Sequence, residues 1–178
     1  MTIDDGDVDG GESITIRPNR SGKLWSEDPE QWRALRTREG CPWCQGSGPP
    51  EEDVIAETDN CWITAPMDAT LPGYVCVSTK SHAIEPYDLA DDARDAFFAD
   101  AMAVARGLAK VTRPMKMNYE IHGNTIPHLH MHLFPRAADD PYVGYVITSR
   151  VWFTRTPEQL EAIALAVRGE LAASGRLT

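Results

Sequence analysis

The sequence predicts an α+β fold, an antiparallel β-sheet with packed helices, formed by a single domain. Five strand-like runs occur in two groups of neighbours along the chain, which favours antiparallel pairing. Three segments with helical signals lie apart from these groups, so the strands do not alternate regularly with helices. The length of 178 residues is that of one ordinary domain.

The strand-like runs are rich in apolar and β-branched residues and are bounded by turn residues. Asp59-Asn60 is typical of a hairpin turn, and Pro72-Gly73 marks a second turn. Cys61 and Cys76 stand singly in strands, so we expect buried, unreactive thiols. The predicted strands cover residues 54–58, 61–65, 74–79, 115–122 and 128–134.

The helical segments are marked by capping residues and periodic apolar positions. Asp28 and Thr156 can each cap a helix, and each is followed by proline at the first helical position. In the first helix, Trp32 and Leu35 are expected to form a buried stripe. The predicted helices cover residues 28–40, 88–110 and 156–174.

The chain is acidic, with 17 basic and 27 acidic residues and a formal net charge of −10. This charge excludes a whole-surface basic footprint for nucleic acid or an anionic membrane. No apolar run approaches the ~18 residues of a membrane helix, and the N-terminal residues lack the basic start and apolar stretch of a secretion signal, so we expect a cytoplasmic protein. Acidic residues and glycines predict a disordered tail over residues 1–20, before one domain over residues 21–178.

All five histidines lie between His82 and His132, and three of them alternate with apolar residues. In a strand, His128, His130 and His132 would share one face while the intervening residues point to the core. Imidazoles grouped in this way can bind a metal, attack an electrophile or donate to an anion. The alternatives are a purely metal-binding strand and a strand whose histidines have no chemical role.

The motif Cys41-x-x-Cys44 has two standard interpretations, a redox pair or half of a zinc site. A redox pair works best at a helix N-terminus, whereas this pair follows a predicted helix and precedes a Gly/Pro loop. That context favours zinc, with His82 and one member of the triad as the remaining ligands. Two thiolates balance the charge of the metal, so such a site would be structural. Redox-active or inert thiols are the alternative.

Together these motifs resemble the histidine-triad family of nucleotide hydrolases and transferases, which implies a histidine-triad-like fold. The resemblance covers roughly residues 40–136. It rests on the triad itself and on segments at matching places before and after it: Cys41 and Cys44, Val77–His82, Asn118, Asn124-Thr125-Ile126-Pro127 and Phe134-Pro135-Arg136.

The resemblance also implies a role for each motif. His130, the middle histidine, would attack the α-phosphorus of a nucleotide and form a covalent nucleotidyl-histidine intermediate, which water then cleaves. His132 would assist catalysis and bind phosphate. The phosphate-binding residues would be Asn118, Asn124, Thr125 and His132. The ligands of a structural zinc would be Cys41, Cys44, His82 and His128.

The implied substrate is a dinucleoside polyphosphate, a phosphoramidate or an adenylylated small molecule, and the implied assembly is a homodimer. Two alternatives remain: a nucleotidyltransferase or phosphorylase with a phosphate or sugar-phosphate acceptor, and a non-catalytic nucleotide-binding protein. No nucleic-acid or membrane partner is expected. His122 has no counterpart in the family pattern. No motif marks a nucleoside pocket, for which Trp62, Ile63 and Tyr74 are candidates.

Overall fold

The computed structural model describes residues 26–46, 48–142, 144–147 and 153–178. The predicted acidic tail, residues 1–20, lies outside these described ranges. Within them, no helix combines the length and the apolar character needed to cross a membrane.

The main sheet has five antiparallel strands in the order β1-β2-β4-β6-β5. Its strands are β1 (Val54–Glu57), β2 (Cys61–Thr64), β4 (Val75–Thr79), β5 (Lys116–Glu120) and β6 (His130–Arg136). A two-stranded ribbon pairs β3 (Asp68–Ala69) with β7 (Phe153–Thr154). The helices are α1 (Pro29–Leu35), α2 (Pro42–Gln45), α3 (Asp91–Thr112) and α4 (Pro157–Ala173). This architecture confirms the predicted α+β fold.

The last strand of the triad region starts two residues later than predicted. β6 begins at His130 because the preceding backbone leaves the ladder of the sheet. The Leu129 N–H donates to the Ala83 carbonyl over 2.7 Å, and the Leu129 carbonyl accepts from the Thr79 N–H at 3.1 Å. The first histidine of the triad therefore lies at the entrance to the strand.

The first helix is shorter than predicted. Asp28 caps it, since its Oδ1 accepts from the Gln31 N–H at 3.0 Å, but α1 ends at Leu35 and not at Gly40. The expected buried stripe is wrong, because Trp32 and Leu35 are only half-buried and α1 has no fully buried residue. The helix lies on the surface, where it forms one wall of a pocket.

A tight turn follows α1 and delivers the first cysteine. The Thr37 hydroxyl accepts from the Gly40 N–H at 3.1 Å, and this local hydrogen bond competes with helix continuation. A Cβ at position 40 would lie 2.0 Å from the Ala34 carbonyl oxygen, so only glycine fits there. The turn closes with a hydrogen bond of 2.9 Å from the Cys41 N–H to the Thr37 carbonyl.

Helices α3 and α4 pack together over one face of the sheet. They approach closely at Gly107, where a Cβ would meet the Ala166 carbonyl oxygen at 2.8 Å. The buried Asp100 carboxylate accepts from the Thr58 hydroxyl at 2.6 Å and from Arg176 at 2.8 Å, which fixes the C-terminus. The core beneath these helices includes Phe97, Val104, Leu108, Met131, Leu133, Ile163 and Val167. The side chains of His130 and His132 lie on the opposite face of the sheet.

Candidate active site and metal centre

Strand β6 carries two of the triad histidines on the face that the helices do not cover. Met131 and Leu133 are buried in the core, so His130 and His132 point to the other side, as the alternation predicts. Directly paired residues of neighbouring antiparallel strands have their side chains on the same face of the sheet, so β4 and β5 also contribute side chains to the face of His130 and His132. Glu120 is paired with His132.

His130 has a defined orientation. Its Nδ1 lies 2.6 Å from the backbone carbonyl oxygen of His128. A carbonyl only accepts, so Nδ1 carries the proton and donates, and Nε2 is left with a free electron pair. Burial lowers the pKa of His130. The imidazole is therefore neutral at pH 7, with an available nucleophilic nitrogen.

His132 stands perpendicular to His130, with ring centroids 4.8 Å apart. Its Nδ1 lies 2.8 Å from the hydroxyl of Tyr74. Burial, with a smaller effect of the neighbouring His130, lowers the pKa of His132 to about 3, and burial raises the pKa of Tyr74. The phenol keeps its proton and donates to Nδ1, so the proton of neutral His132 lies on Nε2, ready to donate.

His122, which the sequence left without a role, lies beside the triad. Its ring centroid is 5.7 Å from that of His132. Its Nε2 lies 2.9 Å from a carboxylate oxygen of Glu120. The exposed imidazole thus borders the site from the turn that follows β5.

Two cysteines and two histidines form a compact cluster at the entrance to β6. One ligand atom from each of Cys41, Cys44, His82 and His128 lies within 4.8 Å of the other three. The His128 Nδ1 is 3.3 Å from the Cys41 Sγ and 3.6 Å from the Cys44 Sγ, and the His82 Nδ1 is 3.2 Å from the Cys44 Sγ. These four residues can hold a metal ion.

Backbone carbonyls orient both histidines of the cluster. The His128 Nε2 donates to the Thr79 carbonyl over 2.7 Å, and the His82 Nε2 donates to the Arg36 carbonyl over 2.8 Å. Both Nδ1 atoms therefore present electron pairs to the thiols, as in metal sites whose ligands are fixed by outer hydrogen bonds. The donor set fits a tetrahedral cation.

The cysteine pair departs from its predicted surroundings. Cys41 caps a one-turn helix, α2, that contains Cys44, so the pair lies at a helix N-terminus and not simply before the Gly/Pro loop. Burial and the neighbouring Cys41 raise the pKa of Cys44 to about 11, which is opposite to the lowered thiol pKa of a reactive redox pair. The metal interpretation is favoured over the redox interpretation because His82 and His128 complete a cluster of four donor residues with the two thiols.

The predicted phosphate-binding residues lie around the triad face. Asn118 is half-buried on β5 and is paired with Phe134, on the same face as His132. Asn124 and Thr125 lie in the turn between β5 and β6, where Asn124 is exposed and Thr125 is half-buried. Their contact with phosphate stays a prediction.

The contacts of two aromatic residues with the triad were missed from the sequence. Trp43, between the two cysteines, packs edge-on against His130 with ring centroids 5.5 Å apart. Tyr74, a candidate for a nucleoside pocket, forms a hydrogen bond to His132 that the sequence did not predict. The assignment of Ile63 to that pocket is wrong, because Ile63 is fully buried in the core. Strand pairing could have predicted the contact of Tyr74 with His132. Cys76 is paired with His132, and Tyr74, two residues before Cys76, points to the same face.

Comparison with known proteins places these features in a family. The family model described as "HIT domain" matches residues 49–139. Protein hit from Bacillus subtilis (strain 168) is 26% identical over 133 residues, which cover 70% of this chain and 83% of that protein.

Solved structures of histidine triad proteins have the same fold. The protein from Marinobacter aquaeolei VT8 has a TM-score of 0.59 and 24% identity, covering 67% of this chain and 88% of its own. A Zn-bound histidine triad family protein from Mycobacterium smegmatis has a TM-score of 0.51 and 21% identity, covering 68% and 86%. With a matching family model across half of its length and the triad on the expected face, the chain belongs to the HIT domain family.

Proposed function

We propose that the protein is a histidine-triad hydrolase that cleaves nucleotides at the α-phosphate through a nucleotidyl intermediate on His130. The observation that carries this proposal is the hydrogen bond of 2.6 Å between the His130 Nδ1 and the His128 carbonyl. It directs the free electron pair to Nε2. Family membership supports a nucleotide-binding, HIT-type activity in general terms.

The proposed reaction has two displacements at phosphorus. In the first, the His130 Nε2 forms a bond to the α-phosphorus as the bond to the leaving group breaks, and the leaving group departs with its electron pair. The imidazole becomes cationic, and the His128 carbonyl stabilises it by accepting from Nδ1–H. In the second, water forms a bond to phosphorus and releases a proton to solvent, while the bond between phosphorus and Nε2 breaks and its electron pair stays on His130.

Donors on the triad face would stabilise the phosphoryl oxygens during both steps. His132 is the best-supported donor, since Tyr74 holds its Nδ1 and leaves Nε2–H available. We propose Asn118, Asn124 and Thr125 as further donors from β5 and the following turn. The substrates are a dinucleoside polyphosphate, a phosphoramidate or an adenylylated small molecule.

We infer that the ion held by Cys41, Cys44, His82 and His128 is zinc. Cysteine and histidine ligands in equal number favour this ion, and the fold relative from Mycobacterium smegmatis is Zn-bound. When bound, zinc would supply a rigid cross-link between the cysteine turn and the entrance to β6. Four protein ligands leave no position for water, so His130 remains the attacking group.

We also propose that the protein is a cytoplasmic homodimer whose single domain spans residues 21–178, after an acidic tail over residues 1–20. β5 is an edge strand of the described sheet, and Met115, Tyr119 and Ile121 in and beside it are exposed. An exposed strand edge with apolar residues favours pairing with a second copy. Light scattering in solution measures the mass, and limited proteolysis locates the start of the domain.

The experiment that tests the enzyme is a hydrolysis screen of dinucleoside polyphosphates, nucleoside phosphoramidates and nucleotide sugars with wild type and His130→Asn. We expect turnover only in wild type, and a covalent nucleotidyl adduct in rapidly quenched wild-type protein by mass spectrometry. Unchanged turnover in the variant would overturn the assignment of the nucleophile. Acceleration by added phosphate would indicate the phosphorylase alternative.

A further inference from the structure

A pocket of about 400 Å³ lies between helix α1 and the turn after β5. Trp32 and Arg33 of α1 line it together with Arg36, the C-cap of that helix, and His122 and Asn124 line it from the turn. Its size is within the range of small-molecule sites, which is roughly 300–1,000 Å³. The proposed hydrolysis at the α-phosphate assigns no role to this pocket.

The wall from α1 comes from a segment that precedes residues 49–139, the part matched by the family model. Two long-range contacts hold it. The Trp32 Nε1 donates to the Gly123 carbonyl over 3.4 Å, and the Arg36 carbonyl accepts from His82, a member of the metal cluster. The same residues that anchor the helix thus connect the pocket to the turn and to the candidate metal centre.

The pocket borders the triad through His122. This residue lines the pocket, and its ring lies 5.7 Å from that of His132, which in turn lies 4.8 Å from that of His130. A substrate whose phosphorus lies at His130 can therefore extend past His132 and His122 towards α1. The part that extends in this direction would be either the nucleotidyl group or the leaving group.

The chemistry of the lining favours an anion that carries a planar ring. The lining contains two exposed arginines, Arg33 and Arg36, and one carboxylate, Glu85, so it is net positive in a chain whose net charge is −10. The Arg36 guanidinium lies 5.3 Å from the centroid of the Trp32 ring. Guanidinium groups bind phosphates through paired hydrogen bonds, and a tryptophan or guanidinium plane can stack on a base.

We propose that this pocket binds the leaving group of the substrate, and that the leaving group is a nucleoside phosphate. The inference rests on the proposed hydrolysis at the α-phosphate. It selects dinucleoside polyphosphates, whose leaving group has both phosphates and a ring, over phosphoramidates, whose leaving group is a small amine. Arg33 and Arg36 would bind the phosphates of the leaving half, next to Trp32.

The test compares two substrates with the same adenylyl half, diadenosine tetraphosphate and adenosine 5′-phosphoramidate. The double variant Arg33→Gln/Arg36→Gln is expected to lower the ratio of kcat/KM for the first substrate to that for the second by about tenfold. The matched control is Arg94→Gln/Arg106→Gln, which removes the same charge from α3, where Arg94 is half-buried and Arg106 is exposed. It is expected to preserve the ratio.

The outcomes separate the two proposals. If wild type cleaves neither substrate, nor any other in the screen, the proposed hydrolase itself fails. If wild type cleaves only the phosphoramidate, or if the double variant leaves the ratio unchanged, the hydrolase stands and the leaving-group pocket is overturned. An equal fall of the ratio in the α3 control would also overturn it, because net charge and not the pocket would then determine the preference.

Discussion

The indole of Trp43 packs edge-on against the imidazole of His130, with ring centroids 5.5 Å apart. The same indole contacts His128 at 5.1 Å. Because Trp43 lies between Cys41 and Cys44, the turn that supplies two candidate metal ligands also covers the proposed nucleophile. The metal cluster and the triad therefore share one aromatic side chain.

Replacing Trp43 with alanine is expected to lower kcat by about ten- to a hundredfold with a smaller change in KM. The ring restrains His130, and a loosened nucleophile reaches the phosphorus in the correct geometry less often. Trp43→Phe, which keeps an aromatic ring, should retain most of the activity. Steady-state kinetics and metal content of both variants provide the measurement. Equal kcat in wild type and the metal-loaded alanine variant would contradict the positioning role.

Tyr74 sets the proton position on His132, so Tyr74→Phe should reduce kcat by about tenfold without unfolding the protein. The phenylalanine ring keeps the stacking on Phe134, whose centroid is 5.0 Å from that of Tyr74, and only the hydroxyl is lost. His132 can then place its proton on Nδ1, which removes the donor at Nε2. Nitrogen NMR of the imidazole reports the tautomer directly. An unchanged spectrum together with reduced kcat would argue against this explanation.

The metal cluster predicts a stoichiometric ion that depends on its cysteines. Cys41→Ser or Cys44→Ser should lower zinc affinity by at least about a hundredfold, because each change removes a thiolate ligand. Elemental analysis of purified protein measures the content, and thermal unfolding measures the loss of the cross-link.

Cys76→Ser provides the matched control for the metal. Cys76 is buried on β4, away from the four clustered residues, and its pKa is raised to about 11 by burial. This variant should keep one zinc ion per chain. Metal-free wild-type protein with an unchanged melting temperature would remove the structural role.

The triad face was predictable because the signal is local. Apolar residues alternate with histidines in one strand, and the period of two assigns them to opposite faces. The hairpin at Asp59-Asn60 was predictable for the same reason, from turn residues between two strand-like runs. The ribbon of β3 and β7 was not, since two residues per strand carry no periodicity.

Long-range contacts account for the rest. The Trp32 indole meets the Gly123 carbonyl across 91 residues of sequence, so no local pattern predicts that α1 forms the wall of a pocket. Tyr74 and His132 are 58 residues apart and meet only through strand pairing. The expected buried stripe of α1 failed for this reason: the Trp32 side chain contacts the turn after β5, and no residue of α1 is fully buried.

Arg136 and Asp140 form a two-pronged ion pair where the chain leaves β6, and this pair predicts a dependence of stability on pH. The Arg136 Nε lies 2.7 Å from one carboxylate oxygen of Asp140, and Nη2 lies 2.9 Å from the other. The hydrogen bonds from Arg136 hold the pKa of Asp140 below its usual value. The pair also fixes the next segment, since Arg136 donates to the Tyr142 carbonyl and Asp140 accepts from the Tyr142 N–H.

A carboxyl group with a lowered pKa in the folded state stabilises the protein above its unfolded pKa, and this contribution is lost as the pH falls through the folded value. Asp140→Asn should therefore lower the free energy of unfolding at pH 7 by about 1–2 kcal/mol. Below about pH 4 its difference from wild type should shrink. Asp139→Asn, at the exposed neighbouring position, is the control and should differ little from wild type at either pH. Denaturant unfolding at pH 7 and below pH 4 tests this, and a constant difference between Asp140→Asn and wild type would contradict the ion-pair explanation.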